Sequence, residues 1–309
     1  MDIKYFDLKK QRVLISDKLI VALGIFDGLH LAHQKIINTA ITQAKSKNIK
    51  SAVITFDPHP DYILKKRINE GYLTPLSEKI IFMEKLGLDY LIVINFTLEV
   101  SRLSYEDFEN QILNIYDIDQ IVVGFDYSYG YKGLGSVETL KNKYNVLVIK
   151  EQTFENNKVG SNLIRKYLSL GNVEKTKELL GRYYNISGIV EKGSQIGQKI
   201  GFRTANIILN ENYQTLKEGV YGVIVYVNNS RFLGVCNIGH NPSINYVKNV
   251  RLEVHILDFE GNIYDQNISV DFVKYLRDET IFKNGYELAE QIKKDVGIVR
   301  ASMGDLLWK

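Results

Sequence analysis

Two histidines stand three residues apart in the segment Gly24-Ile-Phe-Asp-Gly-Leu-His-Leu-Ala-His33. The segment follows an apolar run at 19–26 that predicts a buried strand, and it leads into apolar positions at helical spacing. His30 and His33 should therefore share one face of an opening helical turn. Phosphate binds readily at such a helix N-terminus, and two imidazoles there can donate hydrogen bonds while charge builds on an attacked α-phosphorus. Gly24 and Gly28 would allow the backbone to approach the phosphate closely.

The same histidines admit two other interpretations. They could form a zinc site with His59, or they could belong to an ordinary helix surface. No cysteine or acidic cluster stands nearby in the sequence to complete a set of metal ligands. The position directly after a buried strand therefore favours a phosphate site.

A second segment whose residue types could take part in chemistry is Lys192-Gly-Ser-Gln-Ile-Gly-Gln-Lys-Ile-Gly-Phe-Arg-Thr-Ala-Asn206. Its glycines would let a loop fold around phosphates. Thr204 and Asn206 stand two residues apart, so on an extended segment both could offer an oxygen to one Mg²⁺. Taken alone, the pattern favours no more than a flexible loop.

The elements that must position these residues follow two different patterns. Apolar runs at 19–26, 51–56, 90–95, 120–125 and 146–150 alternate with helical patterns, which predicts an α/β unit with a mostly parallel, doubly wound sheet. Thr74-Pro75 and Ser104 carry helix-start signals, and helical segments at 162–170 and 173–181 close this half.

After Gly181 the strand-like segments follow one another without intervening helices, and the chain ends in a helix-like stretch. This pattern is typical of an antiparallel barrel or sandwich, and we predict a barrel with a terminal helix. The sequence thus predicts two domains, 1–181 and 182–309.

Composition narrows the class of protein. The 309 residues carry a net charge of +3, with acids and bases intermixed, which argues against a nucleic-acid partner. We expect no membrane span and no signal peptide, because no apolar run has the necessary length. The single cysteine, Cys236, is expected to be a buried apolar residue and fits a reducing, cytoplasmic compartment.

Several segments of the N-terminal half resemble, in order, the motifs of the bacterial bifunctional riboflavin kinase/FMN adenylyltransferases, or FAD synthetases. The histidine segment is similar to their G-x-F-D-G-x-H-x-G-H signature. Thr55-Phe-Asp-Pro-His-Pro60 resembles a T-F-x-P-H-P loop, Gly124-Phe-Asp-Tyr-Ser-Tyr-Gly130 a flavin-bordering motif, and Val159-Gly-Ser-Asn-Leu-Ile-Arg165 a phosphate-binding motif. Leu179-Leu-Gly-Arg-Tyr183 resembles the stretch that leads into the kinase half.

The C-terminal half resembles the kinase part of the same family. The glycine-rich segment is similar to G-x-x-x-G-R-x-[IL]-G-F-P-T-A-N, and Gly234-Val-Cys-Asn-Ile-Gly239 with Asn241-Pro-Ser243 to G-V-x-N-I-G-x-x-P-[ST]. Leu252-Glu-Val-His-Ile-Leu-Asp-Phe259 resembles the strand with the catalytic glutamate, and Leu276-Arg-Asp-Glu279 an R-x-E motif. Gln291 and Asp295 match positions of the terminal helix.

The resemblance implies roles for individual residues. It makes His30, His33 and Glu253 catalytic, with Glu253 the base that activates a hydroxyl. It places Asp126 and Arg277 at the flavin, and Thr204 and Asn206 at the metal, whereas His255 is expected to be structural. It assigns the binding of ATP phosphates to Gly24, Phe26, Asp27, Gly28, Ser161, Arg165, Gly193 and Gly197.

The sequence departs from the family pattern at a few positions. Ala32 replaces a glycine, Gly160 a serine and Asn162 a threonine, so two hydroxyls are missing. In the kinase half, Arg203 replaces a proline that would fix the backbone ahead of Thr204, and Gln198 replaces an arginine.

The implied partners are riboflavin, FMN and ATP, with Mg²⁺ as cofactor for both steps. Two alternatives remain open: an FMN adenylyltransferase with an impaired kinase domain, and a non-catalytic flavin or nucleotide sensor. A nucleotidyltransferase acting on another small phosphate ester would explain the first half alone.

Overall fold

The computed structural model describes residues 1–10, 14–66, 70–192, 201–228, 230–240 and 250–307, without the side chains of residues 240, 250 and 251. The chain forms two compact units, Met1–Ser161 and Asn162–Lys309. The residues just before Gly181 therefore lie in the second unit, and the functional boundary at 181/182 stays a prediction.

The first unit is built on parallel strands β1 (Asp2–Phe6), β2 (Leu19–Leu23), β3 (Lys50–Asp57), β4 (Tyr90–Asn95), β5 (Ile118–Gly124) and β8 (Val146–Ile149). They form one sheet in the order β1-β4-β3-β2-β5-β8, and each neighbouring pair is parallel. The helices are α1 (Leu31–Lys47), α2 (Pro60–Ile63), α3 (Leu76–Lys85), α4 (Tyr105–Phe108) and α5 (Val137–Lys141). Two short hairpins pair β6 (Ser128–Tyr129) with β7 (Gly135–Ser136), and β9 (Thr153–Phe154) with β10 (Asn157–Lys158).

Strand β2 shows why the sheet is covered on both faces. All five of its residues are buried. Leu19, Val21 and Leu23 pack into one apolar cluster, and Ile20 and Ala22 pack into the cluster on the opposite face. The sequence of a parallel strand that is buried on both faces is a continuous apolar run. The predicted doubly wound sheet is confirmed.

Helix α1 covers one of these faces. Its buried residues are those whose spacing predicted the helix: Ile36, Ile37, Ala40, Ile41 and Ala44. Neighbouring β2 and β5 lie where the strand order changes direction, and in such sheets ligands bind beyond the carboxyl ends of the strands at this point. The loops after Leu23 and after Gly124 therefore leave the sheet side by side.

Three local details differ from the sequence-based expectation. Strand β1 was not predicted, and it extends the sheet by pairing with β4. Pro75, rather than Thr74, occupies the N-cap of α3, which has no side-chain cap hydrogen bond, and the backbone N–H of Thr74 donates to Asp27 Oδ1. The helix announced by Ser104 does begin there, but it continues into a π-helical turn at Glu109–Leu113.

The second unit contains a closed antiparallel barrel in the order β11-β12-β15-β14-β13-β16. Its strands are β11 (Tyr184–Glu191), β12 (Ala205–Leu209), β13 (Gly219–Val227), β14 (Ser230–His240), β15 (Val250–Ile256) and β16 (Asn267–Arg277). Helices α6 (Ser161–Ser169) and α7 (Val173–Leu180) precede the barrel, and α8 (Gly285–Met303) follows it. The barrel with its terminal helix is confirmed.

Helix α8 packs on the barrel through Val299 and Met303, which share an apolar cluster with residues of β13 and β14. Gly222 of β13 allows this approach, because a Cβ there would lie 2.6 Å from the sulfur of Met303. A larger side chain at this position would therefore push the helix away from the strand.

Candidate active sites

The loop between β2 and α1 has an unusual backbone. Phe26 and Leu29 adopt positive φ angles of 54° and 44°, and Gly28 one of 91°. A non-glycine residue in this region costs free energy, which the surrounding structure must offset. The Phe26 ring is 1% exposed and lies over Gly24, where a Cβ would come within 2.9 Å of the ring. The two glycines of the motif are thus needed for the turn and for the close packing of Phe26.

Asp27 is the acidic residue of this loop, and it is 2% exposed. Its Oδ1 accepts hydrogen bonds from the backbone N–H groups of Leu73 and Thr74, at 2.9 and 3.2 Å. The carboxylate therefore ties the loop to the segment before α3. This contact indicates that Asp27 shapes the loop that the sequence predicts to bind phosphate.

His30 is the N-cap of α1, and its Nδ1 accepts a hydrogen bond from the backbone N–H of His33 at 3.4 Å. The two imidazole rings stack with centroids 3.5 Å apart and planes inclined by 21°. The structure thus brings both predicted catalytic histidines together at a helix N-terminus, as their spacing predicts.

His33 is held in its neutral form. Burial, and then the nearby His30 and Lys79, lower its pKa well below the ordinary value of 6.5. Its Nδ1 is buried, and within the described part of the chain it has no hydrogen-bond partner. A buried polar nitrogen without a partner is rare in folded proteins, and the contact of this imidazole with phosphate stays a prediction.

Ser161 reaches this loop from the far end of the first unit. Its Oγ donates to the backbone carbonyl of Asp27 at 2.8 Å. The hydroxyl therefore braces the loop, and its assignment to the phosphates of ATP stays a prediction. Arg165, one helical turn further on, already belongs to the second unit, where it is 8% exposed and donates to the side chain of Gln214 of the same unit; its assignment to phosphate stays a prediction.

The flavin motif follows β5 directly. Asp126 pairs with Lys158, whose ammonium also lies 4.8 Å from the centre of the Phe125 ring. Both partners are about half exposed, so this pair adds little stability. Asp126 thus lies beyond the end of the strand beside β2, on the side where ligands of such sheets bind, and its contact with flavin stays a prediction.

The zinc alternative gains no support from the structure. Among the described residues, no group of three or more His, Cys, Asp or Glu side chains could hold a metal ion. His59 instead caps α2, with its Nδ1 accepting from the backbone N–H of Asp61 at 3.1 Å.

In the second unit, strand register brings three polar residues into line. Glu253 of β15 lies directly opposite Asn206 of β12 on one side and Asn237 of β14 on the other. Residues directly opposite each other share one face of the sheet. Glu253 is half-buried and alternates with the fully buried Leu252 and Val254, so this row lies on the outer face of the barrel.

The amide of Asn237 extends the row to Glu279, because its Nδ2 donates to Glu279 Oε1 at 2.9 Å. Glu279 also lies against Gly239, where a Cβ would approach its Oε1 to 2.4 Å. Sequence reasoning quoted the motifs that contain these residues but assigned no role to Asn237 or Glu279. Antiparallel pairing places Asn237 opposite Glu253, and the sequence signal for it was only its place in a strand-like segment.

His255 explains how the chain holds the segment before Thr204 without the family's proline. Its Nδ1 lies 2.8 Å from the backbone oxygen of Arg203, so this nitrogen donates the hydrogen bond. The ring also packs edge-on against Phe202. His255 therefore fixes the backbone immediately ahead of Thr204 and Asn206.

Arg277 is committed to an ion pair. Its Nε and one terminal nitrogen donate to the carboxylate of Asp295 at 3.1 and 2.9 Å, and the other donates to the Asp278 carbonyl at 3.0 Å. Asp295 is 1% exposed and also accepts from Gln291. The guanidinium thus links β16 to α8, and its assignment to flavin stays a prediction.

The structure characterises the predicted buried cysteine, Cys236, and does not describe several of the predicted site residues. Burial raises the pKa of the Cys236 thiol, which makes it a poor nucleophile. The predicted phosphate-binding Gly193 and Gly197, together with Gln198 and the segment 241–243, lie outside the described residues.

The first unit has a doubly wound parallel sheet with a histidine pair where the strand order changes direction, and the second has a barrel with a row of one carboxylate and two amides. Together these features indicate a two-domain phosphate-transfer enzyme. Comparisons with known proteins indicate the same class of enzyme for both halves of the chain. A family model described as FAD synthetase matches residues 14–163, and one described as riboflavin kinase matches residues 180–303.

Similar whole proteins carry both names. The chain is 38% identical to the bifunctional riboflavin kinase/FMN adenylyltransferase of Listeria monocytogenes over 93% of each chain, and 39% identical to that of Bacillus subtilis over 90% of each. A crystal structure described as a macrolide-efflux protein from Streptococcus pneumoniae matches with a TM-score of 0.87 and 27% identity, over 96% of this chain and 98% of that one. The chain belongs to the bifunctional riboflavin kinase/FMN adenylyltransferase family.

In the ranges that the structure describes, no helix combines the length and the apolar character required to cross a bilayer.

Proposed function

We propose that the protein phosphorylates riboflavin with ATP to give FMN and ADP, and then adenylylates FMN with a second ATP to give FAD and pyrophosphate. The observation that carries the proposal is that each unit holds its own polar cluster at the positions of the family's motifs. The stacked pair of His30 and His33 lies in the first unit, and the row of Asn206, Glu253 and Asn237 lies in the second.

For adenylyl transfer, the phosphate oxygen of FMN attacks the α-phosphorus of ATP, and the bond to pyrophosphate breaks. The chain's task is to orient the triphosphate and to stabilise the charge that builds on it. The helix N-terminus at His30 and the neutral His33 would donate hydrogen bonds to this charge. The loop braced by Asp27 and Ser161 would hold the donors in place before the substrate arrives.

For the kinase step, Glu253 would take the proton of the riboflavin 5′-hydroxyl as the oxygen attacks the γ-phosphorus and ADP leaves. A carboxylate within reach of a hydroxyl is suited to this role, because the hydroxyl alone is a poor nucleophile at neutral pH. The half-buried position of Glu253 on the outer barrel face leaves it accessible to a substrate.

Both steps consume ATP, and kinases and adenylyltransferases use a divalent metal; we propose Mg²⁺. Thr204 and Asn206 stand on one extended segment, with Glu253 directly opposite Asn206. Hydroxyl, amide and carboxylate oxygens form a donor set that fits this cation, so Thr204 and Asn206 would hold it in the kinase site. Bound there, Mg²⁺ screens the charge of the phosphates. A cytoplasmic location, expected from the single cysteine, is part of the same proposal.

The main alternative is an adenylyltransferase with an impaired kinase domain, suggested by Arg203 and Gln198. The contact between His255 and the Arg203 carbonyl supports an ordered metal segment and hence an active kinase. The deciding assay incubates the purified chain with riboflavin, ATP and Mg²⁺ and separates the flavins by chromatography.

We expect FMN to appear first and FAD to follow. FAD from added FMN, with no product from riboflavin, would reduce the function to adenylyl transfer. Flavin binding without turnover in either assay would favour the non-catalytic sensor.

A further inference from the structure

Among the residues that the structure describes, Lys79 of helix α3 is the only buried lysine, with 1% of its surface exposed. Its Nζ donates a hydrogen bond to the backbone carbonyl of Ile25 at 2.9 Å. Ile25 lies between Gly24 and Phe26, inside the loop assigned to phosphate. The lysine thus extends from a neighbouring helix beneath this loop.

The Ile25 carbonyl has a second donor. Thr55 of β3, two residues before the strand ends, donates its hydroxyl hydrogen to the same oxygen at 3.0 Å. A carbonyl oxygen has two lone pairs, so both are used. The next residue, Phe26, has a φ angle of 54°. The two donors therefore help to hold the loop in a conformation that is unfavourable by itself.

The charge of Lys79 needs a separate explanation. An ammonium has three N–H donors, and in the described part of the chain only the Ile25 carbonyl accepts from it, with no carboxylate in a contact ion pair. Burial lowers its pKa, and Asp27 and Asp57 act through space in the opposite direction. A buried cation without a contact partner is costly. A structural hydrogen bond to one carbonyl would not by itself require a positive charge.

The positive charge also acts on the histidine pair. Lys79 contributes to lowering the pKa of His33, so the two groups are close enough to interact electrostatically. A fixed cation beneath a loop that binds a triphosphate would raise the affinity for that anion, since water screens little there.

Resting on the proposed adenylyl transfer, we propose that Lys79 is a positioning residue of that site. It holds the Ile25 carbonyl, and with it the loop at 24–28, and it supplies buried positive potential for the triphosphate of ATP.

The test measures FAD formation from added FMN and compares Lys79→Met with Thr55→Val. Each variant removes one donor to the Ile25 carbonyl, but only the first removes a charge. We expect Lys79→Met to raise the KM for ATP about 30-fold while the KM for FMN stays near the wild-type value, and Thr55→Val to raise the KM for ATP by less than about 5-fold. Lys85→Met removes an exposed charge from the same helix and should leave both KM values unchanged. Phosphorylation of riboflavin should be unaffected in all three variants.

Equal effects of Lys79→Met and Thr55→Val on the KM for ATP would overturn the role of the charge, and a wild-type KM in Lys79→Met would overturn the whole inference. If thermal unfolding shows that Lys79→Met does not fold, Lys79→Arg and Lys79→Gln decide the matter, since both can donate but only arginine is charged. Equal KM values for ATP in these two variants would then reject the proposal. A wild-type chain that makes no FAD from FMN would instead reject the adenylyl transfer on which the inference rests.

Discussion

Ser161 donates its hydroxyl hydrogen to the backbone carbonyl of Asp27 across 134 residues of sequence, at a distance of 2.8 Å. The contact joins the motif at 159–165, which the sequence predicts to bind phosphate, to the loop that precedes the two histidines. The Ser161 hydroxyl, predicted from the sequence to bind phosphate, thus supports the loop through this hydrogen bond. Its contribution to catalysis should be indirect.

Replacing Ser161 with alanine tests this indirect role. A hydrogen bond of this kind contributes about 1 kcal/mol, so we expect kcat/KM for FAD formation to fall by about 5-fold. Steady-state kinetics with FMN and ATP measure the effect, and riboflavin phosphorylation by the same sample is the internal control. A loss of several hundred-fold would instead indicate direct contact between this hydroxyl and the substrate.

The low pKa of His33 predicts a pH dependence of stability. In the folded chain, burial, His30 and Lys79 keep the imidazole neutral, whereas in the unfolded chain it binds a proton near its ordinary pKa of 6.5. Below this pH the unfolded state binds more protons, so the free energy of unfolding falls as the pH decreases. This pH dependence is measured by denaturant unfolding of the first unit between about pH 7.5 and about pH 5.5, in the wild type and in His33→Gln. The variant should lose less stability at acid pH; parallel curves for the two proteins would contradict the assignment.

His33→Gln should also separate the two reactions. We expect FAD formation to fall by at least about 100-fold, the typical loss when a donor to a transition-state oxyanion is removed. FMN formation from riboflavin should continue at the wild-type rate, because His33 belongs to the first unit. A variant that makes FAD normally would remove His33 from the site.

Glu253→Gln is the reciprocal experiment in the second unit. The amide keeps the shape of the side chain but cannot take a proton, so riboflavin phosphorylation should fall by about 100-fold or more. FAD formation from added FMN should be unchanged. A kinase rate within a few-fold of the wild type would show that Glu253 is only a polar residue of the outer barrel face.

Arg203→Pro tests whether His255 replaces the family's proline. Because His255 binds the carbonyl rather than the N–H of Arg203, a proline would leave this hydrogen bond intact. We expect the kinase KM for ATP to change by less than about 3-fold in Arg203→Pro, and to rise by about 5-fold in His255→Ala, which loses the bond. The reverse order of effects would mean that the Arg203 side chain itself assists ATP binding.

Much of the fold could be read from local pattern. The apolar runs and the spacing of Ile36, Ile37 and Ala40 fixed strands and helices, because neighbours three and four residues apart decide which helix face is buried. The family motifs likewise located the histidine pair and Glu253. Strand β1 was not predicted, because Asp2–Phe6 is only partly buried and lacks a continuous apolar run.

What only the tertiary structure decided are relationships between residues far apart in the chain. Lys79 reads in the sequence as an ordinary lysine of an amphipathic helix, yet it is buried against Ile25, 54 residues away. Asn237 acquires meaning only from strand register, which sets it opposite Glu253. Local spacing determines which element a residue belongs to, but burial and long-range hydrogen bonds depend on how the elements pack, and packing is a property of the whole chain.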